Sequence, residues 1–251
     1  MNAELERPLI VVSANVNGLT SALQNGFFGL PHIKAADVLC LQETRSDDAV
    51  TIGRELGFEA IAANTAGHGG VAIFATSPIV VNNEHLTHYG PEQSGQFVSG
   101  SVAGVNFGSM SVTRSAEPDQ FRAFSELFER LNAGGASTLL CGDMNTFRDG
   151  RDAWNFEGAM EKGGIGCDPV AMAWFAGVFA NGWIDAVEAG YPQRPLYTWW
   201  QRNDLFRRGD GTRRDYILAS PPANARVAEG SAAVMTEHRF GGHAQIMLTL
   251  N

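Results

Sequence analysis

Asp143 and Asn145 stand one residue apart at the end of the apolar run Leu139-Leu140-Cys141-Gly142. An anionic oxygen beside an amide suits a site that activates water next to a phosphate or a metal ion. Side chains at i and i+2 of a strand share a face, so strand geometry carried past the run would aim both into one space. Strand C-termini are also where open α/β sheets place their ligands. Taken alone, Gly142-Asp143-Met144-Asn145 reads more readily as a turn, because Gly, Asp and Asn are favoured turn residues.

Four further polar clusters change that balance. Asn15/Asn17, Gln42-Glu43, Arg213-Arg214-Asp215 and Gly242-His243 each follow or precede an apolar run. With Asp143/Asn145 they could converge on one rim. Their chemistry is complementary: Glu43 is a lone hard carboxylate, the amides can orient a substrate, and His243 is a single imidazole. Mg²⁺ takes one or two protein carboxylates and keeps waters and phosphate oxygens as its other ligands. Arg213 or Arg214 could add a charge-assisted contact to phosphate, the other being a solvated strand entry.

These clusters need strands and loops to hold them. Strands are expected at Pro8–Ser13, Asp37–Leu41, Phe58–Ala62, Gly70–Thr76 and around Leu139–Cys141. Others are expected at Trp183–Val187, Arg214–Ser220, Ala225–Met235 and Ala244–Leu250, with a hairpin over Phe97–Met110. Turns are expected at Pro78 and at Asn82-Asn83. Thr20–Lys34 reads as a weak helix interrupted by Gly26 and Gly29. A short helix follows Ser46 and ends near Gly57. Pro118 opens a helix with Phe121, Phe124, Leu127, Phe128 and Leu131 at helical spacing. Asp168-Pro169 caps another, Val170 to Ala180, and Gln201 to Thr212 reads as a polar loop. Strands this short and only partly alternated with helices suggest two packed sheets with helices outside.

Composition sets the bounds. The 251 residues, 44% hydrophobic and 18% charged, describe a globular chain with a full core. No linker or repeat divides it, so 1–251 is expected to form one domain. No apolar run approaches the ~20 residues of a membrane span, and the charged N-terminus lacks a signal-peptide core. Cys40, Cys141 and Cys167 are an odd set without metal spacing and read as reduced residues of a cytoplasmic, monomeric protein. The formal net charge of −9 argues against a broad basic surface for nucleic acid, though not against a local basic track.

Several motifs appear in order along nearly the whole chain. They are Ser13-Ala-Asn15-Val-Asn17-Gly18-Leu19, Leu41-Gln42-Glu43-Thr44, Gly67-His68-Gly69-Gly70-Val71-Ala72, Gly142-Asp143-Met144-Asn145, Arg214-Asp215-Tyr216-Ile217-Leu218-Ala219-Ser220 and the late His243. Together they resemble the endonuclease/exonuclease/phosphatase superfamily, in its exonuclease III and apurinic-endonuclease branch. The resemblance implies a four-layered α/β sandwich, two packed mixed β-sheets flanked by helices. It also implies Mg²⁺-dependent phosphodiester hydrolysis, with Mn²⁺ as a possible substitute and DNA as substrate. By that resemblance Glu43 binds the metal with Asn15 nearby, and Asp143 positions or deprotonates the attacking water. Asn145 orients the phosphate or nucleophile, Asp215 supports His243 or a second metal, and His243 stabilises phosphorane charge. Trp199 matches an aromatic wall beside the sugar, and Asn17, His68, Arg114, Arg213 and Arg214 stand as substrate contacts.

Two departures from the family pattern are visible. Gly242 stands where an Asp usually precedes the histidine and orients it, which suggests a relocated partner such as Glu237 or His238. The stretch Ser109-Met-Ser-Val-Thr-Arg114 lacks the expected tyrosine. They keep two alternatives open: a repurposed phosphoesterase acting on a small molecule, and a catalytically weakened binding protein.

Overall fold

The computed structural model describes residues 7–64, 69–81, 96–113, 118–188 and 195–251. In chain order its strands begin with β1 (Leu9–Asn15), β2 (Val38–Gln42), β3 (Glu59–Ala63), β4 (Val71–Ala75), β5 (Val80–Val81) and β6 (Phe97–Val102). They continue with β7 (Val105–Ser111), β8 (Thr138–Asp143), β9 (Ile184–Asp185), β10 (Asp215–Ala219), β11 (Ala233–Phe240) and β12 (His243–Leu250). These build two six-stranded sheets, ordered β11-β12-β1-β2-β4-β3 and β5-β6-β7-β8-β10-β9. Each is mixed, with one parallel pair, β1–β2 in the first and β7–β8 in the second.

The central strands are apolar on both faces, and their period of two explains why. On β2, Val38 and Cys40 point into the core between the sheets, while Leu39 and Leu41 pack on the opposite face. On β8, Leu139 and Cys141 face between the sheets and Leu140 faces outward. The outer face of the first sheet is covered by α1 (Leu19–Gln24), α2 (Pro31–Lys34) and α3 (Ala49–Glu55). The second is covered by α4 (Pro118–Ala133) and, beyond the short α5 (Phe156–Glu161), by α6 (Pro169–Ala180). Three apolar cores therefore separate four layers, as the family resemblance implies. The expected stripe on α4 is buried at Phe121, Phe124, Leu127, Phe128 and Leu131. At roughly 1.5–3 kcal/mol per fully buried apolar side chain, burial of that stripe outweighs any local propensity in holding α4 on the sheet. Asp168 caps α6 as expected, its Oδ1 accepting from the N–H groups of Val170 and Ala171 at 2.8 and 2.9 Å.

The interruption expected within Thr20–Lys34 falls at Gly26, and local reading erred further along the chain. Gly26, in the left-handed region at φ 79°, separates α1 from a 3₁₀ turn at Phe27–Gly29, and Pro31 then starts α2. The polar stretch Gln201–Thr212 contains a helix, α7 (Asn203–Arg208), because Phe206 packs edge-on against Trp200 at 5.0 Å and Gly209 closes the turn. The strand expected from Ala225 begins only at Ala233. Pro221-Pro222 open the short helix α8 (Pro221–Asn224), and the backbone continues in turns. Asn82-Asn83 lie outside the described residues.

Candidate active site

Sheet order brings the polar clusters together. β1, β2 and β8 end at Asn15, Gln42 and Asp143. Their antiparallel neighbours β12 and β10 begin at His243 and Asp215, on the same rim. Asp215 lies opposite Asp143 in register. Strand ends and strand starts, far apart in sequence, thus face one space.

The two sheets contribute the same local device. Asn15 Oδ1 accepts from the Asn17 N–H at 3.1 Å, and Asp143 Oδ1 accepts from the Asn145 N–H at 3.0 Å. Each is an Asx turn, in which a side-chain oxygen replaces the lost ladder acceptor. Asn17 and Asn145 both adopt φ 48°, and Glu43 and Arg45 are also left-handed at 50° and 48°. Such backbone costs of order 1–3 kcal/mol per residue and clusters at functional sites. Strand geometry therefore does not carry past Asp143. The turn, not a shared strand face, puts Asn145 at the rim, where its Nδ2 donates to Val112 O at 2.9 Å. Gly142 is required before the turn, since a Cβ there would lie 2.3 Å from Met110 O.

Asn15 is the hub. Its Nδ2 donates to Glu43 Oε1 at 3.1 Å and Asp143 Oδ2 at 3.0 Å, and lies 3.4 Å from His243 Nε2. His243 Nδ1 lies 3.1 and 3.0 Å from the two oxygens of Asp215. A carboxylate only accepts, so the Nδ1 proton points at Asp215 and Nε2 is left facing the site. The imidazole partner is therefore Asp215, not Glu237 or His238, and a side chain at Gly242 is not required. Gly242 could not carry one in this backbone: it has φ 88°, and a Cβ would meet Trp200 O at 2.4 Å.

Burial sets the electrostatics. Asp143, Asp215 and His243 are all nearly inaccessible. Burial, reinforced by the Asp215 charge, pushes the Asp143 carboxyl up to about 6, against the opposing pull of His243, Arg214 and Asn15. A carboxylate with that poise can take a proton near neutral pH. For His243 burial alone favours the neutral ring, but the Asp215 carboxylate outweighs it and raises the imidazole above its ordinary value.

Not every anticipated residue joins the centre. Arg213 is buried away from solvent in an ion pair with Asp185 at 2.7 Å, its guanidinium 4.3 Å from the Tyr216 ring centre. Arg214, also buried, lies over the Trp199 ring at 3.6 Å. Trp199 pairs through its backbone with His243, the two rings 6.3 Å apart. Asn17 is exposed and lines a groove of about 510 Å³ with Ser21, Asn203 and Gly242. His68 and Arg114 lie outside the described residues. Sequence reasoning missed Thr198, whose Oγ1 accepts from the N–H groups of Arg214 and Asp215 at 3.0 and 3.1 Å and fixes where β10 starts. It also missed Arg45, which pairs with Glu43. Nothing marked Thr198 in the sequence, whereas Arg45, two residues from an isolated carboxylate, was a usable signal. In place of the absent tyrosine, Ser109 Oγ donates to Leu41 O at 2.9 Å and accepts from Gln42 Nε2 at 3.1 Å. That pair ties the sheets together behind the site.

The donors suit a hard cation. Glu43 and Asp143 present carboxylate oxygens to a single amide, and Glu43 is partly open to solvent. Asp143, Asp215 and His243 also offer ligand atoms within 4.8 Å of one another, a buried group able to bind a metal ion. Asn15 itself presents its NH₂ to the carboxylates and its oxygen to Asn17.

A double-sheet sandwich with a His-Asp pair, a poised carboxylate and hard oxygen donors at one rim defines a hydrolase of phosphate esters. The sequence matches the Endonuclease/Exonuclease/phosphatase family over residues 12–236, and the chain belongs to that family. Comparison with curated proteins gives no match. Among solved structures, a 3'-5' exonuclease (NExo) from Neisseria meningitidis superposes with a TM-score of 0.81 at 23% identity, covering 97% of this chain and all of that one. An AP endonuclease from Archaeoglobus fulgidus gives 0.83 at 19% identity, covering 97% and 99%. The AP endonuclease LMAP from Leishmania major gives 0.78 at 18%, covering 98% and 88%. No described helix is long and apolar enough to cross a membrane.

Proposed function

We propose that this phosphoesterase hydrolyses phosphodiesters in DNA, as an exonuclease or an abasic-site endonuclease, with Mg²⁺ or Mn²⁺ held through Glu43. The observation that carries the reading is the Asn15 amide, which gathers Glu43, Asp143 and the Asp215-held His243 at one point. A divalent ion at Glu43 would polarise the phosphoryl group and offset its charge. Asp143 takes a proton from the attacking water as its oxygen bonds to phosphorus and the bond to the leaving oxygen breaks. His243, oriented by Asp215, hydrogen-bonds the phosphoryl oxygen on which charge accumulates. Asn145, anchored on Val112, has its remaining amide N–H for a second phosphoryl oxygen. Trp199 walls the sugar, Arg214 lies beside it, and Asn17, His68 and Arg114 are further contacts. Arg213 supports β10 from behind through Asp185 and Tyr216. The structural relatives support DNA: an exonuclease, AP endonucleases, and NExo as a 3' phosphatase bound to product DNA hairpin. Three buried free thiols suit a reducing compartment such as the cytoplasm.

The net charge of −9 favours one other reading, a small phosphoester as substrate. Incubation with labelled duplex, nicked and abasic DNA, with and without Mg²⁺, decides between them. Metal-dependent degradation or incision is expected; intact DNA in all lanes, with hydrolysis of a small phosphoester, would select the alternative.

A further inference from the structure

Four of the five tryptophans are buried or largely so, whereas Trp154 is 52% exposed. A single apolar side chain at a surface carries no message by itself. Trp154 is set apart by where it stands and how it is held. Its backbone belongs to a row of short pairings that ends at the catalytic rim. The Trp154 N–H donates to Gly211 O at 3.1 Å. Beside it Ala153 pairs with Thr212, Thr212 with Trp199, and Trp199 with His243. Paired segments lie ~4.8 Å apart, so three steps put this one about 15 Å from His243. On the other side Asn155 is fixed as the cap of α5, its Oδ1 accepting from the Gly158 N–H at 3.2 Å. The indole is therefore presented on a rigid backbone, and among the described residues no other ring and no guanidinium lies against it. The last turn of α7, which leads through Gly209 to Gly211, adds cations. Arg208 is held there by Asp210 at 2.8 Å, and Arg207 is exposed. An open aromatic face beside cationic side chains is the combination that binds single-stranded nucleic acid: cations follow the phosphates, and any base can stack on the ring.

Building on the DNA reading above, we propose that Trp154 is a stacking platform for the substrate strand, its indole taking the face of an unpaired nucleobase whose strand runs on to the phosphate at His243. At 3.4 Å per nucleotide, ~15 Å places that base no more than about four nucleotides from the phosphate. Inside a duplex each base face is already covered by its neighbours, and exposing one first costs its stacking and pairing. The platform therefore selects a strand left unpaired at that position, a single strand or an overhang, over a blunt duplex.

The test compares wild type with Trp154→Ala and Trp154→Phe, each first checked by thermal melting. In EDTA, a labelled single-stranded oligodeoxynucleotide and its blunt duplex are titrated by fluorescence anisotropy. Trp154→Ala should bind the single strand about tenfold more weakly than wild type, the scale of one base–aromatic stack. Trp154→Phe keeps a ring and should retain most of the affinity. On the blunt duplex the difference between wild type and Trp154→Ala should be much smaller. The single strand is then remade with a tetrahydrofuran abasic residue at each position in turn. At one position wild type should lose about tenfold while Trp154→Ala loses nothing further, because the stack is already gone. Equal affinity of wild type and a folded Trp154→Ala for the single strand overturns the proposal. So does a deficit that stays the same whichever base is missing, or one as large on the blunt duplex. Binding in EDTA is independent of hydrolysis, which separates the two readings. A wild type that holds the strand through Trp154 yet cleaves no DNA in Mg²⁺ defeats DNA hydrolysis and upholds the platform. One that degrades DNA while Trp154→Ala binds as well as wild type does the reverse.

Discussion

Asn15 Nδ2 donates to Asp143 Oδ2 at 3.0 Å, bonding the end of β1 in one sheet to the end of β8 in the other. The same nitrogen reaches Glu43 and His243, so the geometry of the centre depends on how the two sheets dock. Asn15→Ala should leave buried Asp143 with one donor fewer. Removing a partner from a buried charged group costs roughly 1–3 kcal/mol. Chemical denaturation should show that loss together with a large fall in turnover; a variant as stable and active as wild type would remove Asn15 from the centre.

Metal dependence should track Glu43. Glu43→Gln keeps the shape and the bond from Asn15 but removes the charge. Turnover at ordinary Mg²⁺ levels should vanish while the melting temperature stays close to wild type. Full activity of this variant, or of wild type in chelator, contradicts the assignment.

The Asp215–His243 pair predicts a change in pH profile. Asp215→Asn removes the charge that raises the imidazole. Loss of an oriented acid-base group typically costs ~10²–10⁴-fold in rate. The limb of the kcat/KM profile assigned to His243 should move to lower pH, since the ring then loses its proton more easily. An unmoved limb would mean that another group holds the histidine.

Asp143 links the site to stability. Its carboxyl is held up at about 6, so between pH 4 and 6 the folded state binds a proton that the unfolded chain releases. Its contribution to stability is therefore gained as pH falls through about 6 and lost as pH rises. Asp143→Asn should be inactive yet more stable than wild type at pH 7.5, by up to roughly 2–3 kcal/mol. That advantage should shrink toward pH 5. Melting curves at both pH values check the sign, and an advantage that grows at pH 5 refutes it.

Gly242→Asp should not improve the enzyme. The backbone is left-handed there and the Cβ would meet Trp200 O at 2.4 Å, so strain of order 1–3 kcal/mol is expected. Lower melting temperature and lower activity together are the predicted result. A stable variant with faster DNA cleavage would show that His243 lacked its carboxylate after all.

Much of this molecule was legible from its chain. The continuous apolar runs Val38–Leu41 and Leu139–Cys141 announced strands, and the stripe on α4 announced its packed side. The motif residues Asn15, Glu43, Asp143, Asp215 and His243 do meet at one rim. Where local reading failed, a contact distant in sequence was responsible. Phe206 forms part of a helix because Trp200 gives it a ring to pack against. Arg213 and Arg214 are indistinguishable as neighbours in sequence, yet one pairs with Asp185 behind the sheet and the other lies on Trp199 at the front.

The sequence by itself determined most of the strands and the chemistry available at their ends, because these follow from apolar runs and residue type, whereas the glycine that Met110 O requires at position 142 is set by the pairing of β7 with β8. The tertiary structure decided that Asp215, which the family resemblance already offered as support for His243 or a second metal, holds the imidazole where Glu237 and His238 do not. Asp215 reaches it because β10 and β12 start on the same rim, in different sheets, and only the docking of those sheets sets the distance between them. Hydrogen bonds act over about 3 Å whatever the separation along the chain, so pairings of this kind appear only once the sheets are in place.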